Sequence, residues 1–157
     1  MSEKESAKQQ AAWRAVEEVR SGMILGLGHG STAVHVLRSI AQRMQSGELQ
    51  NIQGVPCSLQ VEQEARSLNI PLTILDKYPV LDLTIDGADQ ADLKLRLIKG
   101  GGGALLQEKI VAQASRREII VADEIKLTEQ LGRVAQSGFL LGSSGGIFHP
   151  RTGSWEL

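Results

Sequence analysis

Met23-Ile24-Leu25-Gly26-Leu27-Gly28-His29-Gly30-Ser31-Thr32 sets the architecture expected of this chain. The apolar run 23–27, bounded by glycine, suits a buried strand. Gly28-His29-Gly30 makes a tight loop, and Ser31-Thr32 offers N-cap chemistry to a helix. In that helix Ala33, Val36, Leu37, Ile40 and Met44 recur at helical spacing. A helix start presents unpaired N–H groups and a positive dipole end, which suits an anion such as phosphate. Serine at 31 stands where the dinucleotide fingerprint needs glycine, and the Lys-Ser/Thr pair of a P-loop is missing. The segment reads either as a phosphate loop or as a tight turn with an ordinary cap.

Working outward, residues 3–20 read as a helix with an Ala12, Ala15, Val16, Val19 stripe, stopped by Ser21-Gly22. Strands are expected at 52–56, 72–75, 80–85, 95–98 and 118–122. Helices are expected at 58–68 and at 104–115, the latter with Leu106, Ile110 and Ala114 on one face. Strands alternating with helices imply an α/β, Rossmann-like fold: a mostly parallel sheet flanked by helices, with right-handed crossovers. Ligands of such sheets sit beyond the carboxyl ends of the strands. Segments 28–32, 57–58, 86–89 and 123–126 all follow strands, and the glycine run from Lys99 joins them if its strand forms. Residues 1–132 read as one domain. From 133 to 157 the chain is rich in glycine and serine and without periodicity, so this tail is expected to be irregular.

Composition narrows the function. The chain has 157 residues, a net charge of −1 and 22% charged residues, which argues against disorder and against a basic nucleic-acid surface. The aromatic residues are only Trp13, Tyr78, Phe139, Phe148 and Trp155, too few for a base-stacking platform. No apolar run approaches the roughly 18 residues of a membrane span. The polar start, Met1-Ser2-Glu3-Lys4-Glu5, is not a secretory signal. Cys57 is the only cysteine, so an intramolecular disulfide is impossible and a reducing cytoplasm is the expected setting.

Asp86-Gly87-Ala88-Asp89 places two carboxylates three residues apart at a strand end, as ligand-handling groups or as a polar turn. Lys99-Gly100-Gly101-Gly102-Gly103 runs straight into a helix. A flexible linker fits that poorly; backbone wrapped round a ligand, with a lysine for an oxyanion, fits it well. Glu108, early in that helix, is either an ionised general base facing the glycine run or an exposed residue paired with Lys109. Lys8 and Lys126 have no local feature to separate them from surface lysines. Cys57 reads as a packed residue, His35 and His149 as bystanders, and His29 as a loop residue in reach of ligand.

Together these segments resemble ribose-5-phosphate isomerase, type A. The resemblance is carried by Gly26 to Ala33, Gly54 to Ser58, Ile85 to Asp89, Ile98 to Ile110 and Ala122 to Lys126, in family order, over about Lys8 to Gly132. It implies a metal-free and cofactor-free aldose–ketose isomerase. The reaction would interconvert D-ribose 5-phosphate and D-ribulose 5-phosphate through an enediolate, in the non-oxidative pentose phosphate pathway. It implies Glu108 as proton acceptor, Asp86 and Asp89 for substrate hydroxyls and ring opening, and Lys99 for the oxyanion. The substrate-binding set it implies is Lys8, His29, Gly30, Ser31, Thr32, Gly87, Ala88, Gly100, Gly101, Gly102 and Lys126. A homodimer or homotetramer is the implied assembly. His29 stands where the family usually has threonine. Residues 133–157 do not resemble the family's further α+β lobe, so the chain is expected to lack it. The alternative reading is a truncated or non-catalytic sugar-phosphate-binding protein.

Overall fold

The structure, a computed structural model, describes residues 3–132, 139–141, 146–148 and 155–156. In chain order these form α1 (Glu3–Val16), β1 (Ile24–Leu27), α2 (Ser31–Gln45), β2 (Gln53–Pro56), α3 (Leu59–Ser67), β3 (Leu83–Gly87), β4 (Gln90–Ala91) and β5 (Leu97–Lys99). There follow α4 (Leu105–Gln113), β6 (Glu118–Val121), a 3-10 turn at Glu124–Lys126, β7 (Phe139–Leu141), β8 (Gly146–Phe148) and β9 (Trp155–Glu156). The main sheet has the order β2-β1-β3-β6-β8-β9, parallel except at β8–β9. The α/β architecture is as expected. All four residues of β1 are buried, which is why its sequence is continuously apolar rather than alternating.

Register puts the site on one rim. Leu27 pairs with Pro56 and with Ile85, and Gly87 with Val121, so the segments following these strands emerge together. The α1 stripe of Ala12, Ala15, Val16 and Val19 is buried against Leu25, Leu37 and Ile40. Helix α1 stops at Val16 rather than at 20, and the chain turns through Gly22, whose φ of +85° suits glycine.

Glycine 28 lets the rim close. A Cβ at this position would lie 2.4 Å from the Asp86 Cα, a backbone atom that cannot swing aside. Gly28→Ala must therefore part β1 from β3. Overpacking of this kind costs about 1–3 kcal/mol, and the expected result is a melting temperature lower by roughly 2–12 °C. An unchanged melt would contradict the packing described.

Three expectations are corrected. Residues 72–75 form no strand: only Leu72 bridges to Gly54, the next bond toward residue 75 would need an N–H from Pro56, which has none, and Ile74 turns out to solvent. The strand before the glycine run is real, but it belongs to a second, antiparallel sheet of order β4-β5-β7. Helix α4 is the third case. Its buried residues are Glu108 and Val111, while Leu106 and Ile110 are exposed. Capture of the Glu108 carboxylate beneath the rim outweighs the apolar pattern. The expectation for the tail concerns mostly residues outside those described; three short strands from it, β7, β8 and β9, extend the two sheets. No helix among the described residues is long and apolar enough to cross a membrane.

Candidate active site

Helix α2 begins at Ser31, so Ser31 is its first helical residue and not its cap. Gly30, at φ +115°, holds the cap position and supplies no side-chain hydrogen bond. The first-turn N–H groups are thus left to the cavity that Gly30, Ser31 and Thr32 line. The Lys8 ammonium donates to Ser31 Oγ at 3.1 Å and brings a positive charge from α1 to this end. Lys126 lines the same cavity from the turn after β6.

At the other wall lies a buried charge cluster. Asp86, Lys99 and Glu108 are each less than 5% exposed, at 2%, 4% and 4%. Lys99 Nζ is 2.8 Å from Asp86 Oδ2 and 3.3 Å from Glu108 Oε1, and it also donates to the Gly87 carbonyl. An ammonium has three protons, and these partners use all of them. Asp86 Oδ1 accepts from the backbone N–H of His29 at 2.9 Å and of Gly87 at 2.7 Å. Glu108 Oε2 is buried without a hydrogen-bond partner.

The charges tune one another. Burial pulls the Lys99 ammonium down, but the carboxylates of Asp86 and Glu108 outweigh it and hold Lys99 above the ordinary lysine value. Burial lifts the Glu108 carboxyl above its ordinary value, against the opposing charge of Lys99 and with help from Asp86. From the sequence, Glu108 is either an ionised general base facing the glycine run or an exposed partner of Lys109. The structure makes it a buried carboxyl with a raised proton affinity, because α4 packs this face inward.

The glycine run fits closely around these groups. Gly101 N–H donates to Asp89 Oδ2 at 2.7 Å. A Cβ on Gly102 would meet His29 Nε2 at 2.6 Å. The run is therefore packed backbone, as its sequence suggested, and not a linker. One cavity of about 140 Å³ gathers every residue expected at the site except Asp86, which lies behind it. Ala122 is an unforeseen wall residue. Ser58, which the sequence places after a strand and at the start of a helix, contacts His29 Nδ1 through its hydroxyl at 2.9 Å. Asp123 is buried near the same rim, with Oδ1 unpartnered. Cys57 is buried in the core and its thiol is pushed up by burial, which suits packing and not nucleophilic chemistry. Among the described residues no group of three or more His, Cys, Asp or Glu side chains converges to hold a metal ion.

Glu118, at the start of β6, feels the charges of Asp86, Lys99 and Glu108. Burial, reinforced by the Asp86 charge, pushes its carboxyl up to about 7. A raised acid contributes stability that is complete below about pH 4.5 and is lost as pH rises through about 7. Glu118→Gln is expected to stabilise the protein at pH 8 by about 2 kcal/mol and to leave it nearly unchanged at pH 4.5. Thermal melts at both pH values check this, and a variant that tracks the wild type throughout would contradict it.

The chain is similar to known proteins of one family. The family described as ribose 5-phosphate isomerase A (phosphoriboisomerase A) matches residues 53–137. Ribose-5-phosphate isomerase A of Chloroflexus aurantiacus is 57% identical over 128 residues, which are 82% of this chain and 54% of that protein. The solved ribose 5-phosphate isomerase from Plasmodium falciparum aligns with a TM-score of 0.77 and 49% identity, covering 79% of this chain and 53% of that one. A D-ribose-5-phosphate isomerase solved in complex with phospho-erythronic acid aligns with a TM-score of 0.80 and 38% identity, covering 81% and 56%. The chain spans about half the length of the curated relatives it matches. On the match over more than half its residues, this chain belongs to the ribose 5-phosphate isomerase A family.

Proposed function

We propose that the chain is an aldose–ketose isomerase interconverting D-ribose 5-phosphate and D-ribulose 5-phosphate, in the cytoplasmic pentose phosphate pathway. One observation carries the reading: a buried Glu108–Lys99 pair shares a cavity with an uncapped helix N-terminus flanked by lysines. The phosphate seats at Gly30, Ser31 and Thr32, with Lys8 and Lys126 supplying positive charge. The sugar then extends toward the glycine run.

In the forward direction Glu108 removes the proton from C2 of the open-chain aldose, and the electron pair forms the C1–C2 double bond. The C1 carbonyl oxygen becomes an oxyanion against the Lys99 ammonium. The same carboxyl then returns a proton to C1 while the O2 hydroxyl proton passes to the O1 oxyanion, leaving the C2 ketone and a C1 hydroxyl. A raised proton affinity suits Glu108 to this exchange. Asp89, at the cavity wall and held there by the Gly101 N–H, and the N–H groups of Gly100 and Gly102 serve the sugar hydroxyls and ring opening. Both Asp86 oxygens are already bonded, to Lys99 and to backbone N–H groups. Its part is to hold Lys99 in place. Phospho-erythronic acid, with which a similar isomerase was solved, is consistent with this scheme, since it joins a phosphate to a carboxylate whose two coplanar oxygens resemble those of an enediolate.

The test is incubation of the pure 157-residue protein with ribose 5-phosphate, followed by NMR. Appearance of the ketose phosphate is the expected result. Binding without turnover would favour the non-catalytic sugar-phosphate-binding alternative, and absence of binding would overturn both.

A further inference from the structure

His29 is placed by two contacts that the reaction scheme does not use. Its Nδ1 lies 2.9 Å from Ser58 Oγ, and the tip of its ring lies against Gly102, where a Cβ would come within 2.6 Å of Nε2. Ser58 is the N-cap of α3, and its Oγ accepts from the Val61 N–H at 3.2 Å. A hydroxyl has one proton and two lone pairs. Val61 takes a lone pair, since a backbone N–H can only donate. Passing the hydroxyl proton to Nδ1 satisfies both side chains in one bond. The reverse arrangement leaves that proton unused within the pair and turns the Nε2 lone pair toward the cavity. The positive end of the α3 dipole also favours a lone pair, not a proton, on the ring atom that faces it.

We infer that Ser58 is a positioning residue that fixes neutral His29 as the Nε2–H tautomer, so that this N–H faces the cavity at Gly102 as a donor to a sugar oxygen. His29 and Gly102 line the same cavity as Lys99 and Glu108. The ring spans from the α3 N-terminus to the glycine run, the side of the cavity toward which the sugar extends in the isomerase reading. Its partner is then a carbohydrate oxygen and not the phosphate. The tautomer stands on the contacts alone; the sugar contact rests on the isomerase reading.

Nitrogen-15 NMR of histidine-labelled protein separates the two nitrogens. It is run near pH 8.5, roughly two units above the ordinary imidazole pKa, with His29→Gln to assign the signals. The wild type is expected to carry its proton on Nε2. Ser58→Thr keeps that pattern. Ser58→Asp still caps α3, but its carboxylate only accepts, so the proton moves to Nδ1. A wild-type ring protonated on Nδ1, or a Ser58→Asp spectrum like the wild type's, would overturn the assignment. The sugar contact is read by titration. His29→Leu is expected to weaken ribose 5-phosphate binding about tenfold and inorganic phosphate less than about twofold. Equal losses for the two ligands would overturn the contact. A wild-type protein that binds neither ligand would overturn the isomerase reading and the sugar contact together, while the NMR result decides the tautomer separately.

Discussion

Glu108→Gln is expected to lower kcat for ribose 5-phosphate by about 10³-fold while leaving substrate affinity within about threefold. The amide keeps the shape of the side chain and a hydrogen-bonding oxygen, but it cannot accept a proton from carbon. The fold survives the change because Lys99 retains Asp86 at 2.8 Å and the Gly87 carbonyl. Loss of the negative charge removes one partner of Lys99 without stranding it. Glu108 Oε2 is buried with no hydrogen-bond partner, which is the state required of an atom that must take up a proton. Comparable losses in kcat and in affinity would mean that Glu108 positions substrate and does not move the proton.

The second large effect is on stability. Lys99→Met leaves the carboxylates of Asp86 and Glu108 facing each other in a buried site with no cation between them. Breaking a buried pair by removing one partner costs about 3–5 kcal/mol, which corresponds to a fall in melting temperature of roughly 6–15 °C. The stranded carboxyls bind protons more tightly in the folded chain than in the unfolded one. The variant therefore gains stability relative to the wild type as pH falls, and the gap between them narrows from pH 8 to pH 5. Adding Glu108→Gln to Lys99→Met removes one stranded charge and is expected to recover part of the loss, a non-additivity that the pair geometry requires. Strictly additive losses, or a gap that widens in acid, would contradict the cluster described.

The main sheet was legible because its signals are local. A buried apolar strand, a glycine loop and a periodic helix can be read at 23–45 without knowledge of any partner, and strand ends set the rim. The lysine–glycine run was legible for a similar reason, since packed glycines at Gly101 and Gly102 leave a compositional trace. What could not be read depends on contacts distant in sequence. The pattern of α4 favoured Leu106 and Ile110 as the inner face, yet the helix buries Glu108 because Lys99 waits there from β5. The sheet assignment of β5 depends on β7, more than 30 residues away. The 72–75 segment failed as a strand because the neighbouring β2 ends at Pro56, which has no N–H to extend the ladder beyond Leu72. Ser58 gave no sign of its bond to His29, since a serine before a helix is adequately explained as a cap.

The central claim is that one carboxyl, on α4, carries a proton between adjacent carbons of a sugar phosphate anchored at the start of α2. The direct measurement uses ribose 5-phosphate deuterated at C2 in ordinary water. The account predicts ketose product with the deuterium partly carried to C1 and partly lost to solvent, at a rate that Glu108→Gln reduces about 10³-fold. Release of the C2 label at an undiminished rate by Glu108→Gln would contradict it.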